Sequence, residues 1–230
     1  MQAAVTRWAM AVLRIGCGFA VCLPLFADDP AARRTVSFRQ GVNGYQGTVD
    51  TEIWALAPTT ILESNINMSS DANNDGGESQ VLIRFDDIIG SKPGQVPPRS
   101  TIHSAKLVVN AFDQGDTVNL HRMLVPFDRS ATWASLISGV SADGLEAARQ
   151  RSSFTFGKIA ASTSEVPFDV TDSVQAWVNG AENHGWVFIN TGGNGWDFYA
   201  SEFENINQRP RLVIEFTPRS SAAVTAAAAN

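Results

Sequence analysis

Apolar and polar residues alternate with a period of two along much of the chain, the mark of strands with one buried face. Val81, Ile83 and Phe85 alternate with Leu82, Arg84 and Asp86, and Ala105, Leu107, Val109 and Ala111 alternate with Ser104, Lys106 and Asn110. The same reading places strands at 35–39, 48–54, 117–125, 154–159 and 166–170, with a weaker extended segment at 61–68. Gly185 to Phe216 holds three more short apolar runs split by turn-rich pieces and is the stretch densest in aromatic residues. The turn Asp113-Gln114-Gly115-Asp116 suggests that 101–112 and 117–125 form a hairpin. Polar residues 69–77 read as a loop, and 128–150 as a long excursion with short helices near Trp133 and Glu146. One helix is expected at 171–179, capped by Thr171 or Asp172, with Val174, Trp177 and Val178 on its inner face and Gly180 as its stop. Eight to ten strands and one short helix predict an all-β fold, an antiparallel β-sandwich of jelly-roll type.

The first 27 residues stand apart. Arg7 and Arg14 precede the apolar run Ile15–Phe26, and Ala27 sits before Asp28-Asp29-Pro30, as in a secretory signal peptide. The expected organisation is a signal peptide at 1–27, a polar lead-in at 28–34, the sandwich at 35–218 and an Ala/Ser-rich disordered tail at 219–230. Cleavage near Ala27 makes the protein secreted or periplasmic and removes Cys17 and Cys22, so the exported chain holds no disulfide. It also removes two arginines. The formal charge moves from -6 to -8, with 15 basic against 23 acidic residues. That acidity excludes the usual nucleic-acid binder, and the signal is too short to insert as a membrane span.

Candidate chemistry is sparse. Asp71, Asn73 and Asp75 followed by Gly76 repeat the oxygen spacing of a calcium loop, with Glu78 as a further ligand and Leu82 where a bidentate glutamate belongs. A structural calcium ion is therefore one expectation, a self-capped polar loop the other. His103 and His121, placed across the expected hairpin, are the nearest thing to an acid–base pair. No nucleophile elbow, zinc motif or phosphate loop occurs. Tryptophan faces stack on sugar rings; Trp177 and Trp186 read as core, whereas Trp54, Trp133 and Trp196 flank loops and are the ligand candidates. Arg84, Lys106, Arg122 and Arg129, gathered on one outer face, would meet a carboxylated glycan.

Several blocks follow in order: Leu82-Ile-Arg-Phe-Asp86, Ser104-Ala-Lys-Leu107, Ala131-Thr-Trp133, residues 139–147, Asp169-Val-Thr171 with Trp177-Val-Asn-Gly180, Gly185-Trp-Val-Phe188, Ser201-Glu202 and 209–216. Together they resemble the DNRLRE domain, grouped with family 96 of the carbohydrate-binding modules, over about 36–217. The resemblance implies a non-catalytic β-sandwich on secreted bacterial proteins, some members of which bind acidic glycans such as alginate. The expected function is then a carbohydrate-binding or adhesion module for a polysaccharide at a cell surface or in a matrix. Two alternatives are a structural sandwich that binds proteins or itself, and a lyase-like enzyme.

Overall fold

In the computed structural model, residues 32–155 and 164–219 are described. The expected signal peptide, the tail beyond Arg219 and most of the expected strand at 154–159 lie outside them. Alternating segments pair into two antiparallel sheets. The first joins β1 (Arg34–Arg39), β11 (Arg211–Thr217), β5 (Thr101–Asp113) and β8 (Ser164–Asp169), in that order. β10 (Trp196–Tyr199) continues along the same edge of β5 that β11 occupies, and β3 (Asn67–Asn74) pairs with β10. The second joins β2 (Thr48–Trp54), β4 (Gly77–Phe85), β9 (Trp186–Asn190), β6 (Val118–Met123) and β7 (Ala147–Phe154). β3 bridges the two, pairing with β10 through Asn67–Ser70 and with β4 through Asp71 and Asn74. This is the all-β sandwich that the alternation predicts.

The inner faces meet in one apolar core. Leu107, Val109, Phe168, Phe198 and Ile214 come from the first sheet, and Val81, Ile83, Leu120 and Phe188 from the second. Phe188 sits at the centre, edge-on to Phe168 at 5.2 Å and 5.0 Å from Phe198. Helix α1 (Thr171–Val178) plugs one end. Its Trp177 ring lies 4.7 Å from Trp186, whose indole N–H donates to Ser173, and Gln175 ties the helix to Ser100 and Ile102. Thr171 is not the cap. Its N–H is taken by Asp169 and its hydroxyl accepts from the Ala105 N–H.

A second core lies behind the second sheet. Ile53, Leu82, Met123 and Val187 on its outer face pack against Phe127, Ala131 and Val140 of the 124–146 excursion. Gln80 pins that excursion like an extra ladder rung, since its side-chain amide donates to the Val140 carbonyl and accepts the Val140 N–H. The excursion holds a single 3₁₀ turn at Ala134–Leu136, as expected near Trp133; no helix forms at Glu146, where β7 begins instead.

Two other expectations change. Strands β5 and β6 do not pair, because each buries its apolar face from opposite sides of the core; residues 114–117 cross between the sheets. A Cβ on Gly115 would come within 1.9 Å of the Asn194 carbonyl, so the crossing needs glycine. Residues 69–77 are not a loop either. Asp75 (φ 54°) and Gly76 (φ 99°) form a two-residue turn of the left-handed kind that closes hairpins, and β3 and β4 run up to it. The hairpin is polar because its tip is exposed, which hid it from an alternation search. Among the described residues no helix is long and apolar enough to cross a membrane.

Truncating Phe188 to alanine should lower stability by about 3–5 kcal/mol, read by urea denaturation. Gly76→Ala, with nothing within 4 Å of the new methyl, should cost only the left-handed backbone, about 1–2 kcal/mol.

Candidate functional site

The structure separates the residues singled out from sequence. Trp196 is 1% exposed and its indole N–H donates to the Asp116 carbonyl at 2.7 Å, so its faces are closed to a ligand. Trp54 is half-buried and hydrogen-bonded to Asn74, and Trp133 packs against the second core. Arg84 is bound to Asp86 and to the Phe127 carbonyl, with its guanidinium 5.0 Å from the Phe127 ring centre. Arg129 is held by Glu202 at 2.7 Å and by the Thr48 carbonyl.

The four cations do not share a face. Arg84 follows Leu82 on the outer side of the second sheet. Arg122 stands in register with Trp186 on its inner side, and Lys106 lies on the outer side of the first sheet. The expected clustering is corrected for a simple reason: strands assumed to be neighbours belong to different sheets. His103 and His121 part in the same way, His103 meeting Thr217 and His121 buried against the Ala148 carbonyl.

Asp71, Asn73, Asp75 and Glu78 occupy the β3–β4 hairpin. Asp71 accepts the Asn73 N–H, and Glu78 accepts from Gln80. The calcium reading rests on the sequence pattern.

What the fold does assemble is a row of rings on the outer face of the first sheet. In β10, Trp196 and Phe198 point into the core, which turns Asp197 and Tyr199 outward. In β5 the alternation that turns Val109 and Ala111 inward turns Phe112 to the same outer side, and a register shift sets Ala111 against Phe198 and Asp113 against Asp197. Phe112 lies 4.8 Å from Tyr199, and Phe203 stacks on Tyr199 at 3.8 Å with ring planes 16° apart. All three rings are half-buried and flanked by polar groups. Asn67 pairs with Tyr199 and Ser69 with Asp197, while Asn110 donates to the Gln208 carbonyl. Desolvation, with Asp113 and Asp71 nearby, raises the Asp197 carboxyl above the usual range. Such a surface offers apolar ring faces beside hydrogen-bond acceptors and amides. Attention to tryptophan alone misses it. The signals in the sequence are two aromatic residues at outward positions of their strands, Phe112 after the inward Ala111 and Tyr199 after the inward Phe198.

Beneath the far end of β10 lies a buried polar clasp. Asp50 on the inner face of β2 is 1% exposed and accepts the Ser201 N–H at 2.8 Å. The Ser201 oxygen lies 2.6 Å from Asp50 Oδ1 and 2.9 Å from Glu202 Oε2, but a hydroxyl has one proton to give. The second contact needs a proton from a carboxyl. Burial, and then the neighbouring Glu202, push Asp50 well above the carboxylate range against the pull of Ser201 and Arg129. When Asp50 carries a proton it donates to Ser201, which donates to Glu202; when Asp50 is ionised, Ser201 donates to it instead. Two residues along β2, burial pushes Glu52 up to about 7 although it accepts the Ser69 N–H.

Compared with known proteins, the sequence matches no family model and no curated protein.

Because Asp50 and Glu52 bind protons more tightly folded than unfolded, their contribution is complete below the free carboxylate range. It is lost as pH rises through about 7. Thermal melts should thus show the midpoint falling from pH 5 to pH 8. Asp50→Asn, whose amide can donate to Ser201 at any pH, should flatten that fall; an unchanged slope would refute the protonated clasp.

Proposed function

We propose that this chain is a secreted, non-catalytic module that binds a polysaccharide on the Phe112–Tyr199–Phe203 face. One observation carries the reading: three half-buried rings in mutual contact on the outer face of the first sheet, flanked by amide and carboxylate groups. Sugar rings present CH-rich faces that stack on aromatic planes, and their hydroxyls donate to acceptors such as Asp197 and Asn67. The resemblance to carbohydrate-binding modules supports the same class, and the signal-like leader supports export. Asp113 and Asp197 beside the rings favour a neutral stretch of glycan over a uronate-rich one, since unscreened like charges repel at this range.

Affinity electrophoresis through gels containing a soluble cellulose ether, pectin or alginate tests it. Retardation is expected in the neutral gel. Tyr199→Ala should weaken it about tenfold, on the order of 1.4 kcal/mol, in protein that a thermal melt shows to be still folded at the assay temperature. Absence of retardation in every gel would overturn the reading.

A further inference from the structure

A cavity of about 660 Å³ opens at another edge of the molecule. The consecutive residues Thr35, Val36, Ser37 and Phe38 line it, together with the 42–47 turn and the loop carrying Asp87 and Lys92–Gln95. Four residues in a row include both faces of a strand, so the cavity looks onto β1 edge-on. Among the described residues β11 is the only strand that pairs with β1. The opposite edge of β1, with its peptide N–H and C=O groups, therefore borders the cavity. Its floor is built: Phe38 packs edge-on to Tyr45 at 5.2 Å, and the Tyr45 hydroxyl donates to the Asp86 carbonyl. Gln95 is anchored on the Asp87 carbonyl and the Lys92 N–H.

We infer that β1 accepts an extended peptide segment of a partner protein as an added antiparallel or parallel strand, with acidic residues flanking the paired stretch. Main-chain pairing supplies the affinity in such strand addition, and alternate side chains supply the selectivity. Here one side-chain row falls on the Phe38–Tyr45 shelf, which suits small apolar residues. The charges choose the flanks. Lys92 stands exposed on the far wall, with Asp87 the one carboxylate among the lining residues, and Arg34 and Arg39 close the two ends of β1, Arg39 with Arg211 and Glu165 beside it. Arg39 also keeps a buried Nε–H without an acceptor among the described residues. A second copy of the chain fits poorly: antiparallel pairing of β1 with itself places Arg34 opposite Arg39, and like charges directly across a ladder are destabilising.

The probe is a fluorescein-labelled seven-residue peptide of alternating valine and threonine with glutamate at both ends, followed by fluorescence anisotropy on the intact protein. Saturable binding is expected below about 1 mM. An analogue N-methylated at alternate peptide nitrogens changes only the ligand and should bind about tenfold more weakly or not at all. An analogue with lysine ends should also lose about tenfold, and Lys92→Glu, an exposed loop change checked by thermal melt, should weaken the glutamate-ended probe. Equal binding of the methylated or lysine-ended analogues overturns the inference, as does failure of the parent peptide to bind. Concentration-dependent dimerisation blocked by Lys92→Glu would overturn it in favour of self-pairing. Polysaccharide retardation lost in Lys92→Glu but kept in Tyr199→Ala would overturn it in favour of a glycan groove.

Discussion

Strand β4 is apolar on both sides. Val81, Leu82 and Ile83 are each fully buried, so the middle of the second sheet cannot face water on either side. An antiparallel sheet in a sandwich normally keeps one face wet. Here the requirement for two covers shapes the rest of the molecule. The first sheet supplies one cover through Phe168, Phe198 and Ile214, and the 124–146 excursion supplies the other through Phe127, Ala131 and Val140. Each buried aliphatic side chain contributes about 1.5–3 kcal/mol, so leaving Leu82, Ile53 and Val187 open to solvent would remove a large share of a marginal total.

Apolar contact alone does not fix where an irregular segment lies, and the polar residues do that. Gln80 binds Val140 through both ends of its amide, Arg84 holds the Phe127 carbonyl, and Arg129 spans Thr48 and Glu202. Two of the four cations that looked like glycan ligands in the sequence, Arg84 and Arg129, are fasteners of this cover. The Asp50–Ser201–Glu202 clasp does the same at the other margin, joining the edge strand β2 to the turn after β10. Arg209 works in the same way, reaching the carbonyls of Phe203 and Gln40 as the last strand begins. Because Phe203 belongs to the aromatic row, that arginine also helps to hold the proposed binding face.

The elements were largely readable from the chain, the partnerships much less so. Alternation at 81–85, 101–112 and 211–217 and the helix at 171–178 rest on local periodicity, which survives folding unchanged. The Asp75-Gly76 hairpin was readable from its turn residues but masked by a polar flank. Which strand lies beside which depends on long-range packing, so the pairing of β5 with β6 failed, and with it the histidine pair and the basic cluster. Burial of Trp196 depends equally on the fold, since a Gly/Asn turn beside an indole does not reveal that the loop folds over it. The aromatic row needed two non-local facts at once: the pairing of β10 with β5 that sets Phe112 beside Tyr199, and a turn after β10 that returns Phe203 to Tyr199.

The pairing of β1 with β11 fixes where the chain enters and leaves the sandwich. Arg34 stands opposite Phe216, so the peptide chain enters and leaves the sandwich on adjacent antiparallel strands, roughly 5 Å apart. A host polypeptide could be interrupted at a surface loop, detour through the whole sandwich and resume with almost no change in its own path. Strands so distant in sequence also bind the two extremities like a clasp on a necklace, so a pull applied at both termini would peel that pair one rung at a time. Anchored in this way, the unit should behave as a pendant that releases early under tension, a mechanical character set by topology and independent of what its faces bind.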